Sequence, residues 1–180
     1  MIELLKQEIA RLTAEISMLE SEIRQKEYEQ TRNRQTAMQQ IREITLRILK
    51  NDLDRQEEFR SGKWVEIDFL RDTYSLDGSN NFSASSKIYL KNAILFSLFF
   101  ASLKLDFFRY PRFILCDNME DKGMEKERTQ NFQKLLTDIS SAIEQEHQII
   151  FTTSMVADEL NNTPYCVGAE YDRNNKTLKV

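Results

Sequence analysis

Arg112-Phe-Ile-Leu-Cys-Asp-Asn-Met-Glu-Asp-Lys-Gly123 decides how this 180-residue chain is read. An apolar run, Phe113 to Cys116, stops abruptly at a cluster of acids. A short apolar run bounded by polar residues predicts a buried strand. It carries Asp117 to its C-terminal tip, where ligands collect in open α/β sheets. Downstream, Gln148-Ile-Ile-Phe-Thr-Thr-Ser154 repeats the pattern with hydroxyls at the tip. Neighbouring strands that end in an acid and in hydroxyls suit a metal ion with a phosphate or water beside it. Asp117 and Asn118 equally suit a turn that caps the next helix.

The elements around these strands follow from periodicity. Met124 to Glu146 predicts a helix with Phe132, Leu135, Leu136, Ile139 and Ile143 as its inner stripe. A second helix, from about Ser85 to Lys104, is apolar on nearly every face, so it must be buried among other elements. It is introduced by Phe82-Ser-Ala-Ser-Ser-Lys87. Ser83 or Ser85 suits its N-cap, and a helix N-terminus lined with small hydroxyl residues also receives phosphate well. Trp64 to Leu70 alternates as a strand does. Asp77-Gly78-Ser-Asn-Asn81 is turn chemistry, and Asp158 to Asn162 predicts a helical turn. Tyr165 to Tyr171 and Lys176 to Val180 flank Asp172-Arg-Asn-Asn175 as a hairpin would. The fold class expected is α/β, with at least two parallel strands joined by helical crossovers.

The first third predicts a coiled coil. Ile2, Leu5, Ile9, Leu12, Ile16, Leu19 and Ile23 recur at alternating spacings of three and four, a heptad seam that calls for a partner helix. The seam weakens at Lys26, Gln30 and Asn33. It resumes at Ala37, Ile41, Ile44 and Ile48 in a shifted frame, as after a stutter. The helix is expected to reach Arg60 and stop at Ser61-Gly62, a length of roughly 90 Å. The seam starts at the first residues without a cap, so Met1 is expected to lie inside a longer coiled coil. Arg32, Arg34, Arg42, Arg47 and Lys50, against Glu43 alone, either touch phosphates or form a solvated face.

Bulk properties narrow the classes. A net charge of −4 gives no whole-molecule attraction to nucleic acid. Cys116 and Cys166 have no metal-ligand spacing and read as reduced structural thiols in a cytosolic protein. The N-terminus is amphipathic, unlike a signal peptide. The greasiest run, Ala93 to Leu105, is broken by Ser97, Ser102 and Lys104 and falls short of the ~20 residues a membrane helix needs.

Taken in order behind a coiled coil, these segments resemble the C-terminal lobe of an ABC-type ATPase of the SMC and RecN kind, which is a P-loop NTPase-like fold. The resemblance implies that residues 1–60 are a returning coiled-coil arm and residues 63–180 the C-terminal lobe of the head. It implies that Ser83, Ala84, Ser85, Ser86 and Lys87 stand at the signature motif, which contacts ATP held by a second head. Asp117 stands at the Walker B aspartate that supports Mg²⁺, and Glu120-Asp-Lys-Gly-Met124 at the D-loop. The partners implied are a separate Walker A lobe, a second ATPase head and, by analogy with genome-maintenance and anti-phage or anti-plasmid ATPases, DNA. The sequence departs from that family where its catalytic glutamate would be: Asn118 stands there, and an amide is a poor base. Glu120 or Asp121 is the substitute expected. Thr153 stands in place of the switch histidine, and Ala84 and Ser85 in place of the signature glycines. No G-x-x-x-x-G-K-[ST] stretch is present, so the chain by itself is expected to bind ATP negligibly. The alternatives are a non-enzymatic coiled-coil interaction module and, more remotely, a metal-dependent phosphohydrolase built on Asp117, Glu120 and Asp121. His147 reads as a solvated surface residue.

Overall fold

The computed structural model describes residues 1–120 and 123–167. The elements run α1 (Ile2–Lys50), α2 (Glu57–Ser61), β1 (Val65–Asp68), β2 (Thr73–Leu76), α3 (Ala84–Lys104), β3 (Phe113–Cys116), α4 (Lys126–Ser141) and β4 (Gln148–Phe151). The fold is mixed α/β with a long N-terminal helix and a small parallel sheet.

α1 has two unlike halves. From Ile2 to Ile23 its apolar seam is exposed, each residue by 44% or more. Ile41, Ile44, Ile48 and Leu49 are buried. The shifted frame after Ala37 therefore marks the point where α1 leaves a coiled-coil pattern and packs on the body. The helix ends at Lys50, ten residues before the expected Arg60. Asn51 donates its side-chain amide to the Arg47 carbonyl (2.8 Å). Asp52 then turns inward, and α2 forms separately. Gly62 does follow α2, at φ −54° rather than in the left-handed region. A Cβ there would lie 2.8 Å from Leu76 Cδ1, so its glycine serves close packing.

The core lies between the second half of α1, α3 and α4. Tyr89 and Phe132 meet at 4.9 Å between ring centres, Phe96 and Phe132 at 5.8 Å, and Phe59 and Phe82 at 5.5 Å. Each such side chain contributes about 1.5–3 kcal/mol through burial. α3 is buried at Tyr89, Leu90, Ala93, Ile94, Phe96, Phe99 and Phe100, as its composition predicts.

The strands correct the expected order. β1 pairs antiparallel with β2, a strand the sequence pattern did not mark, and takes no part in the parallel sheet. Asp77 (φ 50°) and Gly78 (φ 78°) close a two-residue turn in which Leu76 and Ser79 exchange both backbone hydrogen bonds. β3 and β4 form a two-stranded parallel sheet in the register Phe113↔Gln148 to Cys116↔Phe151. They were expected to be buried. Phe113 (47%), Leu115 (57%) and Ile150 (39%) are instead exposed on one face, while Ile114, Cys116, Ile149 and Phe151 pack against the core. The expected helix over 124–146 is shorter at both ends. The predicted hairpin falls almost wholly on 168–180, outside the described residues. Among the described residues no helix is long and apolar enough to cross a membrane.

Candidate functional site at the tips of the parallel strands

Parallel pairing brings the ends of β3 and β4 together. The Thr152 N–H donates to the Cys116 carbonyl (3.0 Å), and the Met119 N–H donates to the Thr152 carbonyl (3.1 Å). Beyond these bonds the side chains take over. The Thr152 hydroxyl donates to Asp117 Oδ1 (2.6 Å) and accepts from the Asn118 N–H (2.7 Å). Asp117 is exposed, and among the described residues its Oδ2 receives no hydrogen bond. Asn118 has φ 53°. That left-handed conformation is several-fold easier for Asn than for most residues, and it is the local reason an amide follows the aspartate.

Glu120 is pinned. Its Oε1 accepts from the Ser154 N–H (2.6 Å) and hydroxyl (2.7 Å), and its Oε2 from the Thr153 hydroxyl (2.8 Å). Burial alone pushes this carboxyl up. The bonds from Ser154 and Thr153 outweigh it and hold the group below the ordinary glutamate value. A carboxylate so engaged is a loop clamp, and the bonds that lower its proton affinity make it a weaker base. Thr153 is equally committed, since its hydroxyl also accepts from the Met155 N–H (3.0 Å) and Gln133 Nε2 (3.3 Å). Burial raises the Cys116 thiol, and the negative charges of Asp117 and Glu120 raise it further. It is therefore not an activated nucleophile.

The candidate phosphate-binding segment opens α3. Ser83 is the N-cap and accepts from the Ser86 N–H (3.3 Å). Ser83, Ala84 and Lys87 are exposed. Ser86 is buried, and both Ser85 and Ser86 turn toward Arg128, accepting from its Nη1 at 3.4 and 3.2 Å. The stretch thus divides: two residues fasten the helix to α4, and three face outward.

Several residues of this region escaped the sequence reading. Arg128 is 2% exposed and makes a two-point pair with Asp52, at 3.0 and 2.5 Å, under the Tyr89 ring at 4.6 Å. Gln133 is fully buried. It donates to Thr153 and to the Met155 carbonyl (3.1 Å) and accepts from the Ala157 N–H (2.8 Å), so α4 dictates the path after β4. Both occupy the inward stripe of α4, and a polar residue on such a stripe was the available signal. His147 is half-buried rather than solvated. Its Nδ1 lies 2.6 Å from the Gln145 carbonyl and its Nε2 2.7 Å from Ser140 Oγ. A carbonyl only accepts, which makes Nδ1 the protonated nitrogen.

Among the described residues no three His, Cys, Asp or Glu side chains converge as metal ligands; Asp121 lies outside them. Among the described residues, Asp117 is the carboxylate at the strand tips with an oxygen that accepts no hydrogen bond. Magnesium takes only one or two protein carboxylates and fills its shell with water and phosphate oxygens, so the donor set fits that ion when a nucleotide comes with it. No family model matches this chain, and neither a curated protein nor a solved structure matches it.

Proposed function

We propose that this chain is the C-terminal half of an SMC-like ABC ATPase head. It would work in ATP binding, and in hydrolysis if that is retained, coupled to head dimerisation once a Walker A lobe is supplied. One observation carries this. The β3–β4 pair is parallel, ends in Asp117, and bares an apolar face of Phe113, Leu115 and Ile150. Parallel sheets are stable when both faces are covered, so this face fits a further layer of the same head. Asp117, oriented by Thr152, would hold magnesium through water, and the ion would neutralise phosphate charge. Exposed Ser83 and Lys87 at the start of α3 fit contact with a nucleotide held by an opposing head.

Turnover is expected to be slow. Asn118 accepts no proton at neutral pH, and Glu120 and Thr153 spend their polar atoms on each other and on Ser154 and Gln133. In the complete protein, Asp117→Ala is expected to weaken magnesium-dependent nucleotide binding by at least about tenfold. Ser83→Arg should block head closure, read as mass in solution, while each head still binds nucleotide. Wild-type behaviour of both variants would remove the assignment. The 180-residue chain alone is expected to give no heat with ATP in calorimetry. Exposed Arg32, Arg34, Arg47 and Lys50 are the candidates for DNA phosphates; Arg42 is not, because it is held by the Val65 carbonyl (3.0 Å) and the Trp64 ring (4.1 Å).

The exposed heptad seam of α1 favours a second use, as a non-enzymatic interaction module. A complex whose assembly is indifferent to nucleotide and to the Walker A lobe would favour that use.

A further inference from the structure

The seam of α1 carries its selectivity on its flanks. With Ile2, Ile9, Ile16 and Ile23 at a and Leu5, Leu12 and Leu19 at d, the g positions are Glu8, Glu15, Glu22 and Glu29. The e positions are Lys6, Thr13, Glu20 and Glu27. A parallel pair of identical helices would set Glu15 against Glu20 and Glu22 against Glu27. An antiparallel pair would set Glu8, Glu15 and Glu22 against one another, relieved only where Lys6 meets Glu20. Arg11 partly neutralises Glu8 (2.7 Å) and Glu15 (3.4 Å), and Lys26 lies 3.7 Å from Glu29. Among the described residues Glu20, Glu22 and Glu27 pair with no base. Either self-pairing therefore accumulates like charge along the contact.

The same row of positions continues into the body. Lys26, Gln30 and Asn33, the next heptad positions, form one wall of a cavity of about 640 Å³ whose facing wall is Phe69, Leu98, Phe107 and Phe108. Phe69 is 53% exposed and Phe107 41%. Where α1 turns polar along the seam, the globular part supplies the apolar surface.

We infer that this continuous surface takes one heptad helix with Lys or Arg at its own e and g positions, its end seated in the groove, in preference to a second copy of this chain. The Ile and Leu seam supplies affinity, and the acidic flanks select the partner. The inference rests on the interaction-module use of the α1 seam and uses no residue of the strand tips.

The test uses the full chain and two synthetic peptides about four heptads long, both with Ile at a and Leu at d. One carries Lys and the other Glu at every e and g position. Fluorescence anisotropy should give the Lys peptide about 100-fold tighter binding at low salt, with the gap shrinking near 1 M salt. The variant with Glu15→Lys, Glu20→Lys, Glu22→Lys and Glu27→Lys changes only exposed side chains and should prefer the Glu peptide. Phe107→Glu should weaken the Lys peptide about tenfold and leave the charge preference intact. Equal binding of the two peptides, an unchanged preference in the four-site variant, or a homodimer that the Lys peptide cannot displace overturns the inference. Full-strength binding by Phe107→Glu removes the groove from the surface.

Discussion

Glu120 draws three hydrogen bonds from the end of β4, and its lowered proton affinity has a direct consequence. A carboxyl held below its ordinary value of 4.5 contributes stability that is complete above that value. The contribution is lost as pH falls through the lower, folded-state value. Glu120→Gln is expected to cost about 1–3 kcal/mol near neutral pH. The gap from wild type should close on acidification, read as thermal midpoints at a series of pH values. A gap that ignores pH would mean the charge is irrelevant to the clamp. The place of Glu120 in the loop after Asp117 makes it, with Asp121, the substitute base expected from sequence. Proximity in sequence could not reveal that Ser154, thirty-four positions on, occupies one of its oxygens.

At the scale of elements, the join between α1, α3 and α4 rests on one buried pair. Asp52 leaves the end of α1 and meets Arg128 on α4, and Ser85 and Ser86 complete the guanidinium's contacts from α3. Arg128→Met strands a buried carboxylate, so it should lower unfolding free energy by about 3–5 kcal/mol in urea titration. Adding Asp52→Leu should restore much of that loss, since an apolar pair of similar volume replaces a buried ion pair with little penalty. A double variant no better than the single one would put the cost elsewhere. The apolar repeat predicts an unbroken helix to Arg60. The break at Asn51 comes with its side-chain bond to the Arg47 carbonyl and with the Asp52–Arg128 contact, and a periodicity argument sees only spacing.

At the scale of the whole molecule, the chain divides into a projecting rod and a packed body. Side chains of α1 are exposed through Arg32, and its fully buried ones begin at Ile41. Deleting residues 1–24 should therefore shift the body's unfolding free energy by less than about 1 kcal/mol, measured by calorimetry. It should also abolish binding of any helix to the seam. A large loss of stability would show that the rod supports the body, contrary to its exposure.

Sequence alone determined the long N-terminal helix and its seam, the buried α3, the bounds of β3 and the parallel relation of β3 to β4. Those features come from local periodicity and from the helix that connects the two strands, which neighbouring residues encode. Tertiary structure decided that one face of that sheet is bare, that β1 takes β2 as its partner, and that Glu120 and Thr153 bind each other. It also fastened α1 to α4 through Asp52 and Arg128. Each of these depends on which distant side chain arrives to complete a hydrogen bond or cover an apolar atom, and spacing along the chain carries no record of that.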